Sequence, residues 1–384
     1  MHKTQDEWQE EPLEPRPITL SQSYTLEELK EDLLPHFLND TSTAHALRET
    51  APTRQRASIT AQSLDQDEFL PGRLASLAST HKDEFVSALS GDQTVLYLAY
   101  GSNLASETFL GMRGIKPLSQ LSVIVPDLRL TFDLPGLPYI EPCFAGTHFR
   151  HTPATLNDAQ NTPRSSEKHS LLQTQERDQD DYKGPLIGVV YEVTLRDYAK
   201  IIATEGGGRG YKDIVITCYP FPKAYDPSGP IPEHPSTQPV KAHTLLSPAG
   251  MEAVLQLQPQ SKPLLKLPSR PNPRYAQPSP RYMKLITTGA AEHSLPLAYR
   301  EYLNQIQTYR ITSMRQRFGK VLFLTMWAPF FLLLLALGRI FARPDGRSPE
   351  WVGRYSDFLT TSMWSSYDHA FRPVFGDGER TVVR

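Results

Sequence analysis

One turn in this chain combines residue types that could bind a small polar substrate. It consists of Tyr100, Gly101, Ser102, Asn103 and Leu104, directly after the β-branched and aromatic run TVLYLA. Gly101 lets a ligand approach the backbone closely, and free N–H groups at the start of a following helix suit an anionic or carbonyl oxygen. On local chemistry alone, the same pattern is more typical of an ordinary tight turn.

A single carboxylate is the second candidate for chemistry. Glu205 stands at the predicted end of a helix and is followed by three glycines. The negative end of a helix dipole disfavours an ionised carboxylate, so a partly dry Glu205 would suit general acid–base work near neutral pH. An exposed glutamate beside a loop is the plainer interpretation, and local features favour it.

Several apolar runs predict the strands and helices that must position these residues. The strands are predicted from β-branched and aromatic runs at 94–100, 122–125, 128–134, 184–193, 212–218 and 240–246. Short helices are predicted at 83–89, 105–112, 195–204, 280–288 and 296–307.

Composition narrows the possible functions. The chain has 384 residues and a formal net charge of -2, so no overall basic field favours nucleic acid. Its two cysteines, Cys143 and Cys218, lie among apolar or β-branched neighbours and predict buried thiols in a reducing compartment. The eleven histidines form no H-E-x-x-H pair and no G-x-S-x-G elbow is present, which disfavours a metal or serine-nucleophile enzyme.

Polar and proline-rich stretches set the expected domain limits. Residues 1–90 predict a partly disordered N-terminal extension with short helices, one of them after the capping box at 25–28. A compact domain is expected at 91–310, with disordered inserts near 151–183 and 223–278.

An uncharged apolar run near the C-terminus predicts a membrane helix. The run VLFLTMWAPFFLLLLALG at 321–338 is long enough to span a bilayer, and the helix is predicted at 321–342. Arginines and lysine flank it on both sides, so the positive-inside rule does not orient it. The N-terminus lacks the apolar core of a signal peptide. We therefore expect a single-pass protein with a cytosolic catalytic domain and a short tail, 343–384, on the far side.

Three separated motifs resemble the γ-glutamylcyclotransferase family. The first is YLAYGSNL at 97–104, and the second is GVVYEVTLRDYAKIIATEGG at 188–207. The third is SPRYMKLITTGAAEHSLPLAYREYL at 279–303, which is similar to the family's closing helical segment. The resemblance implies an α+β fold, in which flanking helices surround a mixed, barrel-like sheet.

The resemblance also implies a reaction and roles for the candidate residues. A γ-glutamyl amino acid or peptide would cyclise to 5-oxoproline and release a free amine, without a cofactor or metal. Glu205 would be the catalytic base, the turn at 101–104 would hold the glutamyl group, Tyr100 would close the wall, and Tyr282 would donate from its hydroxyl. A core aromatic at a helix start is an equally good interpretation of Tyr282.

The sequence departs from the family in its two inserts, in the glycine-rich stretch after Glu205 and in the membrane helix. These departures leave the substrate open. A γ-glutamyl amine, glutathione or a glutathione conjugate are alternatives, and so is a non-catalytic, membrane-tethered binding protein on the same fold. The expected partners are therefore a small γ-glutamyl compound and membrane lipid. The sequence does not predict an oligomeric state.

Overall fold

A five-stranded closed barrel is the centre of the structure. The structure, a computed structural model, describes residues 47–150, 182, 184–204, 211–247, 270, 272, 274–341 and 348–382, all within the unit Leu47–Arg384. The seven strands are β1 (Thr94–Ala99), β2 (Ser119–Val125), β3 (Leu128–Leu137), β4 (Glu141–Phe149), β5 (Leu186–Thr194), β6 (Lys212–Pro220) and β7 (Val240–Leu246). The barrel order is β1-β5-β2-β6-β7, and β3 and β4 form a separate two-stranded sheet.

One parallel contact closes the barrel. Strand β7 pairs with β1 in parallel, with Tyr97 opposite His243, whereas the other strand pairs of the barrel are antiparallel. The side chains of β1 are buried from Val95 to Ala99, and β5 is almost continuously buried. Both strands are covered on both faces, which is why their sequences read as unbroken apolar runs rather than as alternating patterns.

Nine α-helices lie among the described residues, and those before α7 flank the barrel. They are α1 (Pro52–Ala57), α2 (Leu70–Thr80), α3 (Lys82–Ser90), α4 (Leu195–Thr204), α5 (Pro280–Glu292), α6 (Leu297–Gln305), α7 (Met314–Ile340), α8 (Glu350–Ser366) and α9 (Arg372–Phe375). Short 3₁₀ segments lie at Leu64–Gln66 and Ser102–Leu104, and π-helical turns at Glu107–Met112 and Tyr367–Phe371. The predicted α+β class, with a barrel-like mixed sheet, flanking helices and one apolar C-terminal helix, is confirmed.

Part of the N-terminal region packs on this barrel. The helix predicted at 83–89 is present as α3, whereas α1 and α2 were not predicted. Leu70, Leu74 and Ala78 recur every four residues along α2 and are buried in the main core, so one narrow apolar stripe docks this helix. The predicted helix after 25–28 lies outside the described residues, as do most residues of both predicted inserts.

The segment after the apolar helix turns back towards the barrel. Helix α8 packs on α7, and a second apolar cluster joins both helices to Tyr139, in the turn between β3 and β4. The backbone N–H of Tyr139 donates to the carbonyl of Gly378 at 2.8 Å. The described part of the predicted tail, 348–382, is therefore bonded to the barrel domain, which the sequence did not predict. Its place relative to a bilayer stays a prediction.

Candidate active site

The turn after β1 presents backbone donors beside a glycine. The N–H of Leu104 bonds to the carbonyl of Gly101 at 3.0 Å, which closes the 3₁₀ turn. Within the described part of the chain, no atom accepts a hydrogen bond from the backbone N–H of Gly101 or Ser102. Both residues are half-buried, so these two N–H groups lie at the edge of the core, where they could bind an oxygen.

Gly101 is packed closely by two residues from distant segments. A Cβ at position 101 would lie 3.3 Å from the Cβ of Ala145 and 3.4 Å from the hydroxyl of Tyr282. The Tyr282 hydroxyl also accepts a hydrogen bond from the backbone N–H of Ala145 at 3.1 Å. The structure therefore brings Tyr282, in the first turn of α5, next to the turn that the sequence singled out.

The unpaired edge of β4 is the common support of this site. Strand β4 pairs with β3 along one edge, and on its other edge Ala145 meets two tyrosines. Its N–H donates to Tyr282, and its carbonyl accepts from the hydroxyl of Tyr211 at 2.8 Å. Tyr211 is the first described residue after Glu205, which itself lies outside the described residues.

The strand register shows where the two described flanks of Glu205 lie. Helix α4 begins directly after Thr194, which is paired with Thr94 at the start of β1. The next described element, β6, begins at Lys212, opposite Leu246. The β7 end that contains Leu246 is level with the end of β1, since β7 runs parallel to β1. Between Thr194 and Lys212, the chain therefore passes from the barrel end at which β1 begins to the barrel end that carries the Gly101 turn.

The other residues of the predicted turn face the interior. The hydroxyl of Tyr100 donates to the carbonyl of Leu245, and the side-chain amide of Asn103 donates to the hydroxyl of Tyr97 at 3.0 Å. Leu104 is fully buried in the main core. These three side chains fix the turn to the barrel, whereas Gly101, Ser102 and Tyr282 form the part that a ligand could meet.

The last turns of α5 hold the Gly101 turn from behind. A Cβ at Gly289 would lie 2.4 Å from the carbonyl carbon of Leu104, so the helix and the turn are in backbone contact. The His293 Nε2 lies 3.0 Å from the Leu104 carbonyl oxygen and 2.7 Å from the Tyr191 hydroxyl. A carbonyl only accepts hydrogen bonds, so Nε2 carries a proton.

Burial sets the charge of this histidine. Burial lowers the pKa of His293, and it outweighs the opposing effects of the Leu104 carbonyl and of Glu292. The ring is therefore neutral near pH 7 and acts as a hydrogen-bond donor to the turn. Glu292 adds a second contact, because its carboxylate accepts from the backbone N–H of Ser106 at 2.8 Å.

Sequence reasoning did not identify Ala145, Tyr211 or His293 as parts of the site. Tyr211 had a usable signal, since an aromatic hydroxyl directly follows the glycine-rich stretch and precedes a strand. His293 lies within the third motif, yet nothing local shows that it reaches Leu104, 189 residues away. Ala145 has no functional group of its own and contributes only its backbone.

Two curated proteins resemble most of the chain. Gamma-glutamyl cyclotransferase gliK of Aspergillus fumigatus is 32% identical over 286 residues, which cover 74% of this chain and 89% of that protein. Gamma-glutamyl cyclotransferase aclK of Aspergillus oryzae is 31% identical over 294 residues, covering 75% and 91%. The chain belongs to the γ-glutamyl cyclotransferase family. The predicted family and the predicted enzyme class are thus confirmed, and the chain is a cyclotransferase.

Helices α7 and α8 have a family match of their own. Residues 313–374 match the family model described as the AclK C-terminal domain, which corresponds to α7, α8 and the turns after them. A solved structure named gamma-glutamyl cyclotransferase has a TM-score of 0.34 and 19% identity, covering 57% of this chain and 92% of its own. The two curated relatives, and not this structural likeness, decide the family of this cyclotransferase.

Proposed function

We propose that this cyclotransferase acts on a γ-glutamyl amino acid or peptide, forming 5-oxoproline and releasing the free amine. The position of Tyr211 supports this proposal. Its hydroxyl bonds to the same β4 residue, Ala145, that lies against Gly101 and Tyr282. The chain that leads to Tyr211 carries Glu205, the acid–base candidate.

The proposed reaction is an intramolecular aminolysis. The α-amine of the glutamyl group must first lose a proton, which Glu205 accepts. The amine nitrogen then attacks the γ-carbonyl carbon, so a ring C–N bond forms and the γ-amide C–N bond breaks. Glu205 passes this proton to the leaving nitrogen, and the ring nitrogen loses its second proton, which the released amine takes up. The products are therefore a neutral lactam and an ammonium. Because both reacting groups belong to one molecule, the enzyme mainly has to hold the cyclising conformer and move the proton.

The turn has a separate role in this proposal. The N–H groups of Gly101 and Ser102 bind an oxygen of the glutamyl group, and Tyr282 bounds the site beside them. Tyr100 and Asn103 act indirectly, because their side chains anchor the turn to Leu245 and Tyr97. Leu104 contributes its backbone and its packing.

The Glu205→Gln variant tests the assignment of the base. We expect it to fold normally and to release 5-oxoproline about 10²–10⁴-fold more slowly, since that is the range general acid–base catalysis supplies. Glu301→Gln is the matched control, because Glu301 is an exposed residue on α6. Near-wild-type turnover by Glu205→Gln would show that another group moves the proton.

A substrate panel tests the compound class. The full chain, solubilised in detergent, is incubated with a γ-glutamyl dipeptide, a γ-glutamyl amine, glutathione and an S-conjugate of glutathione, and 5-oxoproline is measured by mass spectrometry. We expect fastest release from a γ-glutamyl amino acid or peptide, a class that includes glutathione. Preference for the amine or the conjugate would favour the alternative substrates. Release from none of the four would favour a binding protein.

Membrane attachment through α7 is part of the proposed function, with the barrel on the cytosolic side. Within the span Met314–Gly338, the apolar 18-residue window has a mean hydropathy of 2.3, and 6% of that window is buried. A soluble core helix of this length would be mostly covered by protein. Both cysteines, Cys143 and Cys218, are buried free thiols, which fits a reducing compartment. Fractionation of expressing cells tests this, since a chain that stays in the soluble fraction would contradict attachment.

A further inference from the structure

The apolar helix is one arm of a hairpin whose two arms run side by side. At the far end, the rings of Phe341 and Trp351 meet with centroids 5.1 Å apart. Midway, the indole N–H of Trp327 donates to the Ser366 hydroxyl at 3.1 Å. Helix α8 therefore returns antiparallel to α7, from a tip near residue 341 towards the start of α7.

The base of this hairpin is bonded to the barrel domain. The hydroxyl of Tyr139 donates to the carbonyl of Gly376, and its N–H donates to that of Gly378, each at 2.8 Å. The side-chain amide of Gln316, in the first turn of α7, donates to the carbonyl of Asp377 at 2.7 Å. The beginning of α7 and residues 376–378 thus lie at the same place, against the β3–β4 turn.

A mostly buried arginine locks the returning segment in place. Arg270 forms ion pairs with Asp368 and Glu379, both at 2.7 Å, and its guanidinium lies 4.0 Å above the ring of Trp364. Glu379 is almost completely buried. Moving this segment away would leave a buried carboxylate and a mostly buried guanidinium without their partners, which is strongly unfavourable.

Most of the surface of α7 is apolar and uncovered. Among the described side chains beyond its first two turns, one stripe, with Phe323, Trp327 and Phe331, packs on the second apolar cluster. The exposed large apolar side chains extend around the rest of the helix: Phe318, Val321, Leu322, Leu324, Met326, Phe330, Leu332, Leu333, Leu335 and Ile340. An apolar surface of this extent is typical of an interaction site rather than of a surface in water.

The charges at the base of α7 indicate lipid as its partner. Arg315 and Arg317 are exposed, and Lys320 is half-exposed, within the two turns that precede the apolar run. Basic side chains at this level complement anionic headgroups, while the apolar run of 18 residues, about 27 Å long, matches the hydrocarbon layer. On α8, the three charged residues Glu350, Arg354 and Asp357 lie in the half nearest the tip. They are therefore at the opposite end of the hairpin from the basic residues at the base of α7.

We propose that the α7–α8 hairpin enters the bilayer from the barrel's side, and that residues 376–382 remain on that side with the active site. The proposal rests on the proposed membrane attachment. It differs from a single crossing, in which the C-terminus would lie on the opposite side and the bonds to Tyr139, Gln316 and Arg270 would be broken.

Labelling of single cysteines tests the sidedness. Val382→Cys reports on the C-terminus and Glu84→Cys, on α3, reports on the barrel domain; both positions are exposed. Each variant of the full chain is expressed, and sealed microsomal membranes are treated with a membrane-impermeant maleimide, before and after detergent. The native cysteines are buried, so the parent chain gives the background.

We expect the two introduced cysteines to be labelled to the same fraction before detergent, and the chain to stay with the membrane in alkaline carbonate. Protection of one cysteine together with labelling of the other would overturn the hairpin while leaving attachment intact. Release by carbonate would overturn insertion. A chain that never sediments with membranes would overturn attachment, and with it the hairpin.

Discussion

The contact between α5 and the Gly101 turn gives a sharp prediction at Gly289. An alanine Cβ there would lie 2.4 Å from the carbonyl carbon and 2.5 Å from the amide nitrogen that join Leu104 to Ala105. Both atoms belong to backbone, so no side-chain rotation can relieve the clash. The helix and the turn must separate by about 1 Å to restore an ordinary carbon–carbon contact of roughly 3.5 Å.

Two effects of opposite sign compete in Gly289→Ala. Alanine is favoured over glycine inside a helix by about 1 kcal/mol. Overpacking against a rigid neighbour costs about 1–3 kcal/mol, and a backbone clash belongs at or above the upper end. We expect a net loss of about 1–2 kcal/mol in the free energy of unfolding, or roughly 2–8 °C in melting temperature for a domain of this size.

The same displacement should affect catalysis more than stability. A shift of about 1 Å in a group that positions the substrate can reduce the rate about 10²-fold. Thermal unfolding and kcat/KM for 5-oxoproline release are measured for Gly289→Ala. Gly72→Ala is the matched control, because Gly72 lies in α2 and a Cβ there meets no atom within 4 Å. Wild-type melting and activity in Gly289→Ala would refute the reasoning.

Two further predictions follow from buried hydrogen bonds. Tyr282→Phe removes the acceptor of the Ala145 N–H, so we expect about 1–3 kcal/mol less stability in chemical denaturation, with reduced turnover; unchanged unfolding and turnover would contradict this. Burial lowers the pKa of His243, but Asp213, the Leu64 carbonyl and the charge of Asp65 together raise it more, so the net pKa lies above the usual 6.5. Its stabilising contribution should be complete below pH 6.5 and decline as pH rises through the raised folded-state pKa. When the free energy of unfolding is measured at several pH values above 6.5, Asp213→Asn should flatten its decline with pH. An unchanged slope would contradict the role of Asp213.

The barrel strands and the candidate turn follow from local sequence. Strands β1, β5, β6 and β7 were predicted close to their observed limits. Strands β1, β5 and β7 are covered on both faces, which requires continuous β-branched and apolar residues. The turn after β1 was also recognisable, since its glycine and small polar residues interrupt such a run. These features depend on residues that are adjacent in the chain, so they can be predicted from a single sequence.

Elements that pack on the outside were harder to predict. Strand β4 includes Pro142 and Gly146, which argue against a central strand. Among the described strands it pairs with β3 alone, so its other edge can accommodate them. That open edge is also what supports the site. Helix α1 has no buried residue, and Arg54 bonds it to Thr94 at the start of β1, a contact that hydrophobic periodicity does not record. Helix α2 buries only three residues, a stripe too short to stand out in the sequence.

The sequence by itself determined the family motifs, the barrel strands and an apolar helix of membrane-spanning length. The tertiary structure decided which residues meet at the turn, because Tyr211 reaches Ala145 across 66 residues and Tyr282 reaches it across 137. It also decided the direction of the chain after α7. Hydropathy is a property of consecutive residues, whereas the return of the chain depends on Arg270 pairing with Asp368, 98 residues away. Such pairings form only when the whole chain is folded.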